Sequence, residues 1–195
     1  MVRVQAVLGL AHLLGNEEGG EAAGDDEDED SGLLGKLLDV LQNDPSADVR
    51  KSLLLNLPLT PTTLPYLLER ARDVDPATRR ALYSKLLPAL GDFRHLSLSM
   101  REKLLRWGLR DRDDNVQKAT ARLFRERWIE DIAGAGIPEE ELKPGQPAPA
   151  SVDALLELME RIDIVNSGVE DGIALPAFKE FWEGRPDYVL SLIHI

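Results

Sequence analysis

Cysteine is absent from these 195 residues. A disulfide framework, a thiolate zinc site and a cysteine nucleophile are therefore excluded, and the absence fits a reducing compartment. Aromatic residues are scarce, at 5%, and no apolar run approaches the ~18 residues of a membrane span. The opening Met1-Val2-Arg3-Val4-Gln5-Ala6-Val7 lacks the long apolar block and cleavage site of a secretory signal. The expectation is a soluble, intracellular chain with no membrane contact. Motifs of chemistry are missing as well. Gly32-Leu-Leu-Gly35-Lys36 is too short for a phosphate-binding loop and lies in a helical pattern. His12 and His95 stand alone, and Glu157 with Glu160 read as a solvated helix face. No enzymatic activity, cofactor or metal is expected.

What is present is leucine, charge and helical periodicity. The formal net charge is −12, but it is unevenly spread. Residues 1–44 carry −9, residues 45–128 carry +7, and residues 129–195 carry −10. Only the basic middle can attract a polyanion. Asn16–Gly32 holds nine carboxylates and no large apolar residue, so it reads as a disordered acidic loop. Asp26, Asp28 and Asp30 have the 1-3-5 spacing of a calcium loop. Ser31 at position 6 and Leu37 at position 12 contradict it.

Apolar residues recurring at i, i+3, i+4 and i+7 predict helices throughout, with no strand pattern. They fall at Val2–Leu14, Leu33–Gln42, Val49–Leu57, Thr63–Arg72, Ala77–Leu90, Ser99–Leu109, Val116–Asp131, Val152–Ile164 and Ala174–Trp182. Tyr83, Leu86, Leu87 and Leu90 form one such stripe. Residues 133–150 are a Pro-rich loop. Trp107, Trp128 and Trp182 sit in apolar stripes and read as packing residues rather than base-stacking platforms.

The helices repeat. Asp44, Asp73 and Asp111 are each followed six residues later by Arg50, Arg79 or Gln117, and then by Lys51, Arg80 or Lys118. The spacing is 29 and then 38 residues, and Val2-Arg3 matches the same point 47 residues before Val49-Arg50. Helix pairs at 30–47 residues describe an all-α HEAT-repeat solenoid, in which stacked neighbours supply the core. Residues 1–15 read as the second helix of a truncated repeat, 33–132 as three helix pairs, and 151–189 as further solenoid helices. The chain starts mid-repeat and stops without a cap, so an internal piece of a longer protein is expected. One codon choice for Leu190-Ser-Leu-Ile-His-Ile195 matches a transposon end used in library preparation. Residues 190–195 are accordingly read as a non-native tail, and His194 is given no role.

The segments Asn43-Asp-Pro-Ser-Ala-Asp-Val-Arg-Lys-Ser-Leu-Leu-Leu-Asn-Leu57, Ala81-Leu-Tyr-Ser-Lys-Leu-Leu87 and Arg125-Glu-Arg-Trp128 resemble the HEAT-repeat subunit family of condensin, the CAP-G or condensin subunit 3 family. Gly168-Val-Glu-Asp-Gly172 and Phe181-Trp-Glu-Gly-Arg-Pro-Asp-Tyr188 are similar to its fungal members. The resemblance implies a non-enzymatic subunit that works with a kleisin and an SMC ATPase pair. It also implies sequence-independent binding of double-stranded DNA and chromosome condensation in mitosis. Its place would be the nucleus and chromosome, with cytoplasm possible in interphase. It further implies that Asp44, Asp73 and Asp111 form a structural ladder with Arg50, Arg79 and Gln117. Gln117 lacks the charge-assisted bond of the other two.

Lys51, Arg80 and Lys118 occupy equivalent positions, which stacking places in a row. Arg122 lies one turn after Lys118 on the same face, and Arg125 is three further on. These five are the candidate DNA-phosphate ligands, able to read charge and shape but not base edges. The competing reading is a HEAT adaptor or scaffold that binds protein without touching DNA. A basic middle is unnecessary for that role.

Overall fold

In the computed structural model, which describes residues 2–17, 27–91, 93–134, 137, 145–162 and 173–193, short polar side chains set the helix starts. Asp75 accepts from the Thr78 N–H at 2.7 Å, with Pro76 opening the helix behind it. Asp113 accepts from the N–H groups of Asn115 and Val116, and Ser97 and Ser151 cap in the same way. All the described secondary structure is helical. Among the described residues no helix is long and apolar enough to cross a membrane. Two units divide the chain at Leu86 and Leu87.

The first unit contains α1 (Val2–Glu17), α2 (Glu27–Asn43), α3 (Ala47–Asn56), α4 (Leu64–Leu68) and α5 (Pro76–Ala81). A 3-10 turn, Glu69–Arg72, follows α4, and a π turn, Leu82–Leu86, extends α5. Pro58 stops α3 one residue after its cap, Leu57. Helices α1, α3 and α5 pack side by side, and α2 packs on α3 and α4. The core between these layers is Leu41, Leu53, Leu54, Leu67, Leu82 and Tyr83. Each pair buries its stripe only against its neighbours, as the repeat pattern requires.

Helix α1 runs through Glu17, and α2 starts at Glu27, so part of residues 16–32 is helical. Residues 27–30 open α2. Asp28 and Asp30 thus lie on a helix, while Asp26 is outside the described residues. No cluster of three metal-ligating side chains occurs among the described residues.

The second unit contains α6 (Leu87–Ala89), α7 (Leu98–Leu109), α8 (Asp114–Arg122), α9 (Ile129–Ala133), α10 (Val152–Arg161), α11 (Ala174–Gly184) and α12 (Pro186–Ile193). A π turn, Leu123–Trp128, joins α8 to α9. Its core is aromatic. Trp128 stacks on Phe93 with centroids 5.2 Å apart, and Phe124 meets the edges of Trp128 and Phe181. Trp128 is 2% exposed and so is core, whereas Trp107 and Trp182 are half-buried. Residues 190–193 continue α12, and His194 lies outside the described residues.

Helix α7 approaches α8 closely at Gly108. A Cβ added there would fall 2.1 Å from Oγ1 of Thr120, which is buried and donates to the Val116 carbonyl. Gly108→Ala is expected to destabilise the chain by about 1–3 kcal/mol in urea melts. Adding Thr120→Ala should recover part of that loss. An unchanged midpoint in the single variant would show that the helices separate freely.

Candidate nucleic-acid interface

The repeat motif has a common geometry. Each turn aspartate bonds the N–H two residues on: Asp44 to Ser46 at 2.8 Å, Asp73 to Asp75 at 2.9 Å, Asp111 to Asp113 at 2.9 Å. Each residue six later returns to that aspartate's carbonyl oxygen: Arg50 at 2.6 Å, Arg79 at 2.7 Å, Gln117 at 2.6 Å. Gln117 keeps the inward contact of the arginines, without their charge.

Arg50 also reaches forward. Its Nε and Nη2 donate to both oxygens of Asp73, at 2.8 and 2.7 Å. This fork ties the second helix of one pair to the turn of the next. Arg3 makes the corresponding bond to Asp44. Hydrogen bonding to Asp73 outweighs burial and raises the Arg50 pKa. Burial pushes Asp73 upward, but Arg50, the Asp75 N–H and Arg70 together hold it below the ordinary carboxylate range. These arginines are committed to structure.

The next residue in each motif faces outward. Arg80 and Lys118 are exposed and Lys51 is half-buried. None of the three makes an ion pair with a carboxylate among the described residues. Lys51 and Arg80 sit on the packed helices α3 and α5 of the first unit. Lys118 stands on α8 of the second unit, with Arg122 one turn on.

Arg122 and Arg125 differ in what their side chains meet. An α-helix sets residues three apart about 60° from each other, whereas the wider π turn, at about 4.4 residues per turn, swings them further apart. The residue four ahead lies beneath Arg122 in either geometry. That residue is Glu126, and Nε of Arg122 donates to it at 2.7 Å. The bond raises the pKa of the exposed Arg122 guanidinium. Arg125 turns toward α11, where a Cβ on Gly184 would lie 2.1 Å from its Cδ. Its side chain is 29% exposed against 73% for Arg122.

Other organising groups carry little sequence signal. Buried Arg101 donates to the carbonyls of Phe93, Arg94, Leu96 and Arg161, none at a helical spacing. Buried Arg185 joins Glu130, Asp187 and the Ala148 carbonyl. Glu126 was readable as the i+4 partner of Arg122. Glu157 bonds Arg161 at 2.7 Å, as a surface helix pair does, and His12 and His95 are exposed.

Paired helices in two layers, joined by a turn aspartate and a second-helix arginine, define a HEAT-type α-solenoid segment. No family model matches the sequence. The chain is 40% identical over 192 residues to condensin complex subunit 3 of Schizosaccharomyces pombe, and 33% identical over 195 residues to that of Saccharomyces cerevisiae. Each match covers 98% of this chain but only 18% and 16% of the relative. The human condensin complex subunit 3 is 28% identical over 166 residues. The crystal structure of the S. pombe condensin Cnd3-Cnd2 subcomplex matches with a TM-score of 0.73 and 38% identity, over 97% of this chain and 20% of that one. Over this stretch the chain belongs to the condensin complex subunit 3 family, and it spans less than a fifth of the length of these relatives.

Proposed function

We propose that this segment contributes sequence-independent DNA contact to a non-SMC condensin subunit. In this reading it works with a kleisin, as the Cnd3-Cnd2 subcomplex suggests, and with an SMC ATPase pair that supplies the ATP chemistry. Its own part is non-enzymatic: it helps hold double-stranded DNA during mitotic chromosome condensation, in the nucleus and on chromosomes. One observation carries the reading. In the first two motifs an arginine is spent on structure and in the third Gln117 takes that place, while Lys51, Arg80 and Lys118 beside them remain without a carboxylate partner among the described residues. Point charges repeated at a fixed place follow a phosphate backbone and ignore base identity.

The test is a titration with mixed-sequence duplex at several salt concentrations. The chain, confirmed helical by circular dichroism, is compared with a Lys51→Ala, Arg80→Ala, Lys118→Ala variant. The logarithmic salt slope is expected to flatten by about 0.9 for each phosphate contact removed. Equal slopes in two folded proteins would overturn the reading.

A second reading, a peptide-binding adaptor, draws support from a groove between α1 and α3. It is about 370 Å³ and is lined by Val4, Leu8 and Leu55 together with Gln5, Asp48 and Lys51. Folded chain that binds no duplex would favour this reading.

A further inference from the structure

We infer that Glu126 is a built-in competitor for phosphate, setting the affinity of the basic surface at the π turn of the second unit. The inference rests on the DNA-contact reading and adds to it a residue of the opposite charge.

The side edge of a guanidinium, formed by Nε and an Nη, is the edge that grips a carboxylate or phosphate through parallel bonds. Glu126 engages that edge of Arg122 through its Oε2, at 2.7 Å from Nε. Its other oxygen faces Arg125, 3.8 Å from that Nε. One carboxylate therefore bridges two arginines. Arg125 is held in place because the bare Gly184 leaves room for its stem, so it stays beside Glu126.

A phosphate approaching Arg122 meets the best edge occupied and a like charge beside it. Binding must displace Glu126, and the gain is the difference between two charge-assisted contacts. The displaced pair is weak, because both side chains are substantially exposed, at 73% and 43%. Exposed helix pairs of this kind contribute little to stability. Phosphate therefore wins, but with reduced affinity. Lys118, on α8 of the same unit, makes no ion pair with a carboxylate among the described residues, which makes the π turn the weaker site within this unit.

The test uses the same duplex titration on four folded chains: the parent, Glu126→Gln, Glu183→Gln, and Arg122→Ala with Glu126→Gln. Glu183 is an exposed acid of the second unit that faces Lys179 at 4.0 Å rather than Arg122, so its replacement matches the change in net charge while leaving the Arg122–Glu126 pair intact. Glu126→Gln is expected to raise DNA affinity about two- to fivefold at low salt. The gain should vanish when Arg122 is also removed, and Glu183→Gln should give less than half of it. Equal gains from both glutamines would assign the effect to net charge and overturn the inference. So would a gain that survives loss of Arg122, or unchanged affinity in Glu126→Gln while the parent binds. If neither the parent nor any variant binds duplex, the DNA-contact reading itself fails, and the competitor role falls with it.

Discussion

Replacing Asp73 with alanine is expected to destabilise the chain by about 3–4 kcal/mol, among the largest effects of any single substitution in the first unit. The carboxylate side chain is 1% exposed and accepts from Arg50 twice, from Arg70 at 3.2 Å and from the Asp75 N–H. Removing it strands a mostly buried guanidinium, and stranding one member of a buried pair costs about 3–5 kcal/mol. The loss also frees the turn that caps α5 through Asp75. Urea unfolding followed by circular dichroism measures it. Arg50→Met combined with Asp73→Leu should be less destabilised than Asp73→Ala, because no charge is left alone. A loss below about 1 kcal/mol in Asp73→Ala would show that solvent already screens this contact. The same pair gives an acid dependence. The folded pKa of Asp73 lies below its unfolded value, so its stabilisation is complete above about pH 5 and drains away as pH falls through the folded value. In Asp73→Asn that part of the acid transition should be absent.

Arg185→Ala is expected to act with similar force in the second unit, at about 3 kcal/mol. The Arg185 side chain is 7% exposed. It bonds Glu130 at 2.6 Å, forks onto Asp187 and caps the Ala148 carbonyl. Its guanidinium also lies 4.7 Å from the centre of the Tyr188 ring. These contacts outweigh burial and raise its pKa, and its hydrogen bond draws Asp187 down. One side chain thus fastens residues 145–150 and α9 to the junction of α11 and α12. Arg185→Lys should recover less than half of the loss, since a point charge cannot make the planar fork. Full recovery would show that charge alone suffices. Thermal melts of the three proteins decide between these outcomes.

The regular parts of this fold were legible because helical packing repeats itself in sequence. The stripe of Tyr83, Leu86 and Leu87 is buried, and the motif from Asp44 to Arg50 recurs with the same hydrogen bonds at Asp73 and Asp111. Three things were not legible. The acidic run conceals the start of α2, because composition alone weighs that stretch toward disorder. The π turns carry no residue signature, so the packing of Arg125 against Gly184 could not be read from its spacing to Arg122. Arg101 and Arg185 bind carbonyls and carboxylates brought together only by the tertiary fold, across as many as 60 residues for Arg101 and Arg161. Exposure is the remaining gap. Lys51 and Arg50 are neighbours of nearly the same chemistry, and only packing turns one inward and leaves the other partly open.

The rungs impose a rule on how such a chain can change over generations. Arg50 and Asp73 are 23 residues apart, and Arg3 and Asp44 are 41 apart, so each partnership straddles two repeats and neither distance equals a repeat length. Substitutions should then be inherited in pairs at those separations rather than at the period itself. A recombination event that cuts between α3 and α4 delivers an arginine to a foreign aspartate, or to none. A cut between Asp44 and Arg50 leaves the Arg50–Asp73 rung whole and breaks only the short return bond. Repeats of this solenoid are therefore exchanged most safely at the turn inside a helix pair, so that the heritable module is offset by half a repeat from the structural one.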